Sequence, residues 1–76
     1  MHHEYAINLS WDEEASVWIA TSDEVFGLIL EDESCDTLIE RVRLAVPELL
    51  AFEAPVVNDI FLDFIVRRRE RLAYSG

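Results

Sequence analysis

Residues 34–52 read SCDTLIERVRLAVPELLAF, the one stretch of the chain with helical periodicity. Cys35, Leu38, Ile39, Val42, Ala45, Val46, Leu49 and Leu50 recur at three- and four-residue spacing and form a single apolar stripe. Ser34 is a good N-cap, because its hydroxyl accepts from an orphan backbone N–H. Asp36 falls in the first turn, where the helix dipole favours negative charge. Glu40 and Arg43 are spaced to pair on the surface. Leu44 lies about 200° from Val42 at 100° per residue, so it points away from the core. Pro47 cannot donate to the Arg43 carbonyl and clashes with that turn, at a cost of about 3 kcal/mol. The spacing therefore predicts one kinked helix, or a restart at Pro47, over 34–52.

Upstream the period changes to two. Tyr5, Ile7, Leu9 and Trp11 alternate with Glu4, Ala6, Asn8 and Ser10, the pattern of a half-buried strand. Asp12, Glu13, Glu14 and Ala15 make a solvated turn. Ser16–Thr21 (SVWIAT) is the second arm of a hairpin. Without a central Gly, that turn is longer than the two-residue type. After Ser22, Asp23 and Glu24, residues 25–31 (VFGLILE) read as a third strand, with Gly27 marking a bulge or a tight entry. Downstream of the helix, residues 54–59 form a linker. Residues 60–69 (IFLDFIVRRR) read as a final strand with Ile60, Leu62, Phe64 and Val66 on one face and Phe61, Asp63 and Ile65 on the other. The order β-β-β-α-β predicts a two-layer α+β domain over residues 1–76, one antiparallel sheet with one helix across one face. Its second sheet face is left open, and the last strand is apolar on both faces. Large exposed apolar patches mark interfaces. Trp18, Phe61 and Ile65 are the candidate residues of a homo-oligomer contact, and exposed Leu44 is a further contact point.

Composition narrows the function. Seventy-six residues form one domain, and a chain this short buries only roughly 60% of its unfolded surface. Sixteen acids stand against six bases, all Arg, for a net charge of −10. The asymmetry is sharper than the total. Residues 1–66 hold fifteen acids and two Arg (net −13), and residues 67–76 hold four Arg and Glu70 (net +3). Phosphate surfaces repel such a body, so no direct nucleic-acid contact is expected. The favoured partner is a basic protein, steered by the acidic field to the turns at Asp12, Glu13, Glu14, Asp23 and Glu24. The same charge also serves solubility. Arg67, Arg69 and Arg71 share one face of an extended strand and are expected to pair with the acidic turns of this chain or of a neighbour.

No catalytic constellation is visible, and no enzyme activity is expected. Only Gly27 and Gly76 are glycines, so no phosphate-cradling loop exists. Cys35 falls on the apolar stripe, where a free thiol behaves as a small hydrophobe. His2 and His3 are expected in a frayed terminus and, being adjacent on an extended chain, point apart. The acidic runs at 12–14 and 31–33 read as solvated turns, so neither metal nor cofactor is expected. Asp63, between Leu62 and Phe64, is expected as a charge on an edge or solvent face that discourages unwanted strand pairing. One cysteine, no signal-peptide pattern and no apolar run of roughly 18 residues together imply a cytoplasmic, non-membrane setting.

The stretch LSWDEEASVWIATSDEVFGLILEDESCDTLIERVRLAVPELL, residues 9–50, resembles the small HicB-like antitoxin domain. The resemblance covers residues 5–52, and more loosely 60–69. That family runs strand, WDEE-type turn, strand, acidic loop with Pro-Gly, strand, a helix often carrying VPELL, and a last strand. The resemblance implies a partial ribonuclease-H-like fold without nuclease activity. It also implies a basic partner of the HicA type, an RNA-cleaving toxin that the antitoxin masks. The family's Pro-Gly is Phe26–Gly27 here, so the proline does not carry over. Full-length members carry a C-terminal DNA-binding domain, and residues 1–76 hold none, which puts operon autoregulation in doubt. The alternative is a homo-oligomeric structural or interaction domain with no toxin partner.

Overall fold

A computed structural model describes residues 2–51 and 59–75. The elements are β1 (His2–Asp12), β2 (Val17–Thr21), β3 (Ile29–Asp32), α1 (Cys35–Leu50) and β4 (Asp59–Arg67). They build a two-layer α+β domain, one sheet of order β3-β2-β1-β4 with the helix packed on one face. Residues 54–58 of the expected linker and the helix end at Phe52 lie outside the described residues, and Asp59, expected as the linker's last residue, already belongs to β4.

The sheet is mixed, which corrects the expectation of a wholly antiparallel one. β1 and β2 pair antiparallel, as do β2 and β3, whereas β4 lies parallel to β1. The reason is the connection. β3 runs in the same direction as β1, and a helix that carries the chain back over the sheet delivers the next strand parallel to the one it left. α1 packs over β3 and β2, and β4 lies beyond β1 on the far edge. Its N-terminal partner there is the segment expected to fray: His2 and His3 pair with Asp59 and Ile60, and the His3 ring stacks on Tyr5.

The helix runs unbroken through Pro47, with no restart. Pro47 and Arg43 lie on the exposed side, where water reaches a carbonyl left without its ladder partner. Ser34 caps the helix as expected, its Oγ accepting from the Thr37 N–H at 3.2 Å. Leu38, Val42, Val46 and Leu50 are buried against Ile7 and Leu9 of β1 and Ala20 of β2. One-sided burial at four-residue spacing is what holds the layers together.

The third strand starts later than its apolar run implies. Val25 and Leu28 are both buried, yet they sit in a turn, with the Leu28 N–H donating to the Val25 carbonyl at 3.3 Å and Gly27 at φ +86. The turn plugs the end of the core with side chains that periodicity assigns to a strand. It is held by side chains that extend the β1 ladder past its last regular pair, Asn8 with Thr21. Ser22 Oγ donates to the Ala6 carbonyl at 2.7 Å and accepts from the N–H groups of Glu24 and Val25. Glu24 Oε1 accepts from the Ala6 N–H at 2.8 Å.

Candidate interaction surface

The acidic turns do not form one site. Glu13–Ser16 joins β1 to β2 at one end of the sheet, and Ser22–Glu24 leaves β2 at the other. Five residues of strand separate them, about 17 Å at ~3.4 Å per residue. Two of the five acids also work within the chain. Asp12 Oδ1 accepts from the N–H groups of Glu14 and Ala15, fixing a turn in which Ser16 takes a left-handed φ of 56. Glu24 holds the Ala6 amide. Glu13, Glu14 and Asp23 are exposed, and among the described residues none of them has an ion partner.

Leu44 is 74% exposed, on the side of the helix that its phase requires. It lines a shallow groove with Leu30, Arg41, Ala45 and Glu48. Arg41 crosses from α1 to the edge strand β3, donating to the Glu31 carbonyl at 2.7 Å and reaching Asp32 at 3.4 Å. β3 is thus a short, charged edge with a side chain laid over it, a form that discourages further strand addition.

The opposite edge is built differently. β4 has nine residues, and α1 packs toward β3 and β2 rather than over it. Leu62 and Phe64 reach the core margin, whereas Ile60, Phe61, Ile65 and Val66 are 38%, 51%, 52% and 54% exposed. Phe61 and Ile65 lie on the face opposite the helix, as the strand alternation places them. Exposed Asp63 lies between them on that face, in register with Ala6. Ile60 and Val66 look toward the helix layer but stay open because the helix stops short, and no period of two reveals that.

Trp18 does not share the Phe61–Ile65 face. It pairs with Trp11 across the β1–β2 ladder and packs at the core margin on the helix side. The two rings meet edge to face at 5.5 Å. Arg68 lies 4.6 Å above Trp11 and 5.9 Å from Trp18, and its Nε donates to Glu70 at 3.0 Å. The arginine cluster is thereby divided. The strand ends at Arg67, Arg68 takes up the tryptophan pair, and Arg69 and Arg71 line an open groove with Trp11 and Glu13. Among the described residues no ion pair joins the cluster to an acidic turn.

Cys35, the first residue of α1, is half-buried against the core margin. Burial, and then the Asp36 carboxylate, pushes its thiol above the ordinary range, opposite to the shift that activates a nucleophile. Among the described residues no three His, Cys, Asp or Glu side chains gather as metal ligands, and no helix is long and apolar enough to cross a membrane.

Fold and surface together define a small α+β domain whose open features are apolar and charged surface patches. The chain belongs to the family described as Domain of unknown function (DUF1902), matched over residues 4–75. It is similar to the crystal structure of the hypothetical protein TTHA1013 from the extremely thermophilic bacterium Thermus thermophilus. The two are 31% identical with a TM-score of 0.67, over 93% of this chain and 99% of that one. No curated protein matches the chain.

Proposed function

We propose that the chain is a non-catalytic protein-binding domain of the HicB-like antitoxin kind, which captures a basic, toxin-type protein. The observation that carries this reading is uncompensated charge. Arg41 and Arg43 of the acidic body are already engaged by Asp32 and Glu40, and Arg68 by Glu70. The other described acids, with Glu13, Glu14 and Asp23 at the tips, have no ion partner among the described residues. Such a field accelerates encounter with a basic surface and repels nucleic acid. With the two acidic turns at opposite ends of the sheet, the partner engages one end, and Leu44 and its groove offer the apolar contact nearer the middle.

The test is a growth assay followed by kinetics. A basic open reading frame of toxin size beside the gene is expressed alone and with this chain. Growth arrest relieved by the chain supports the reading; arrest that persists at equal expression refutes it. With the purified pair, either Glu13→Gln with Glu14→Gln or Asp23→Asn, according to the end the partner engages, slows association, and rising salt slows it further, while dissociation changes less. Asp12 and Glu24 are kept because they hold the backbone. A second reading, self-assembly with no toxin partner, draws its support from the apolar edge strand β4.

A further inference from the structure

β4 reads Asp59-Ile60-Phe61-Leu62-Asp63-Phe64-Ile65-Val66-Arg67. By residue class it is nearly symmetric about Asp63. Ile60 mirrors Val66, Phe61 mirrors Ile65, and Leu62 mirrors Phe64. The ends carry opposite charges, Asp59 and Arg67. Both are exposed, and neither forms an ion pair among the described residues.

We infer that β4 pairs antiparallel with β4 of a second copy, about a two-fold axis through Asp63, to give one continuous eight-stranded sheet. The inference rests on the self-assembly reading of β4 and is independent of any basic partner. A two-fold axis normal to the sheet keeps the two open faces on the same side, so only registers that oppose like faces are allowed. In the register centred on Asp63, Asp59 faces the partner's Arg67, and Arg67 faces the partner's Asp59. Phe61 faces the partner's Ile65, an aromatic against a β-branched side chain, which is a favourable cross-strand pair. On the helix side Ile60 faces the partner's Val66, and Leu62 the partner's Phe64. Sliding by two residues sets Asp63 against Phe61 or Ile65 and breaks both terminal charge pairs. The register that satisfies the ends leaves one unfavourable contact, Asp63 against its own copy on the axis. That contact limits affinity and rejects slipped registers, since a lone carboxylate set among apolar partners costs more than one beside water at the axis. β3 has no such symmetry, and Arg41 lies over it, so the pairing ends at a dimer instead of extending into a ribbon.

The test is a charge exchange between chains, read by sedimentation equilibrium on the full chain at tens of micromolar. Wild type is expected as a dimer. Asp59→Arg sets two Arg–Arg contacts in the homodimer, and Arg67→Asp sets two Asp–Asp contacts. Each is expected to weaken self-association on the order of tenfold or more, as both end pairs turn from attraction to repulsion. An equimolar mixture of the two variants restores opposite charges at both ends and is expected to form a heterodimer at wild-type affinity. Asp63→Asn removes the repulsion on the axis and is expected to tighten the wild-type dimer up to about fivefold. Far-UV circular dichroism of each variant checks folding. A wild-type mass of one chain overturns both the inference and the self-assembly reading. A dimer whose single variants show no rescue on mixing overturns this register alone and leaves self-assembly through another surface. A dimer that Asp63→Asn weakens or leaves unchanged also overturns it.

Discussion

Ser22→Ala is expected to destabilise the domain by removing the hydroxyl that ties the turn after β2 to β1. Ser22 Oγ makes three hydrogen bonds, donating to the Ala6 carbonyl at 2.7 Å and accepting from the Glu24 N–H at 3.0 Å and the Val25 N–H at 3.1 Å. The Glu24 amide is exposed, so water replaces its bond. The bonds to Ala6 and Val25 are part-buried, and each contributes about 1 kcal/mol net. The expected loss is therefore ~2 kcal/mol from a total of about 4–11 kcal/mol for a chain of this length. At ~4–8 °C per kcal/mol for a domain this small, Tm falls by roughly 8–16 °C. Ser22→Thr keeps the hydroxyl and is expected to hold Tm near wild type. Thermal denaturation followed by circular dichroism measures the shift, and amide exchange at Val25, whose N–H donates to Ser22 Oγ, locates it. If Ser22→Ala lowers Tm by less than about 3 °C and leaves the Val25 amide protected, the side-chain extension of the β1 ladder is not a source of stability and the argument fails.

Three further outcomes follow from the described contacts. Asp12→Ala removes the acceptor for two turn amides and is expected to cost about 1 kcal/mol, whereas Asp12→Asn retains an oxygen and costs less, as urea titration of the pair will show. Gly27→Ala is expected to cost ~1–2 kcal/mol through the backbone, because a Cβ there meets Leu49 Cδ2 at an ordinary 3.6 Å while φ stays at +86; a smaller loss in the same titration would mean that the turn relaxes. Burial and Asp36 both hold the Cys35 thiol protonated, so its alkylation rate in the folded chain is expected to rise at higher pH than in urea, with Asp36→Asn recovering the smaller part of the difference.

Local periodicity decides much of this protein. The three-and-four spacing from Cys35 to Leu50 places the helix, its buried side and exposed Leu44, because a helix presents a residue's direction through its sequence position alone. Alternation along 4–11 and 60–66 likewise sets which side chains of β1 and β4 share a face. The same logic misreads residues 25–28, where Val25 and Leu28 are apolar to close the end of the core and their backbone bonds go to Ser22 and to each other. Nor does it give the direction of β4 or the reach of α1, which depend on where a rigid helix sets the chain down across three strands. Only the tertiary structure separates Trp18 from Phe61 and Ile65, gives Asp12 and Glu24 to the backbone, and leaves Ile60 and Val66 open. A residue's face is a local property, but what covers that face is decided by segments distant in sequence, whose placement follows from packing and chain connection.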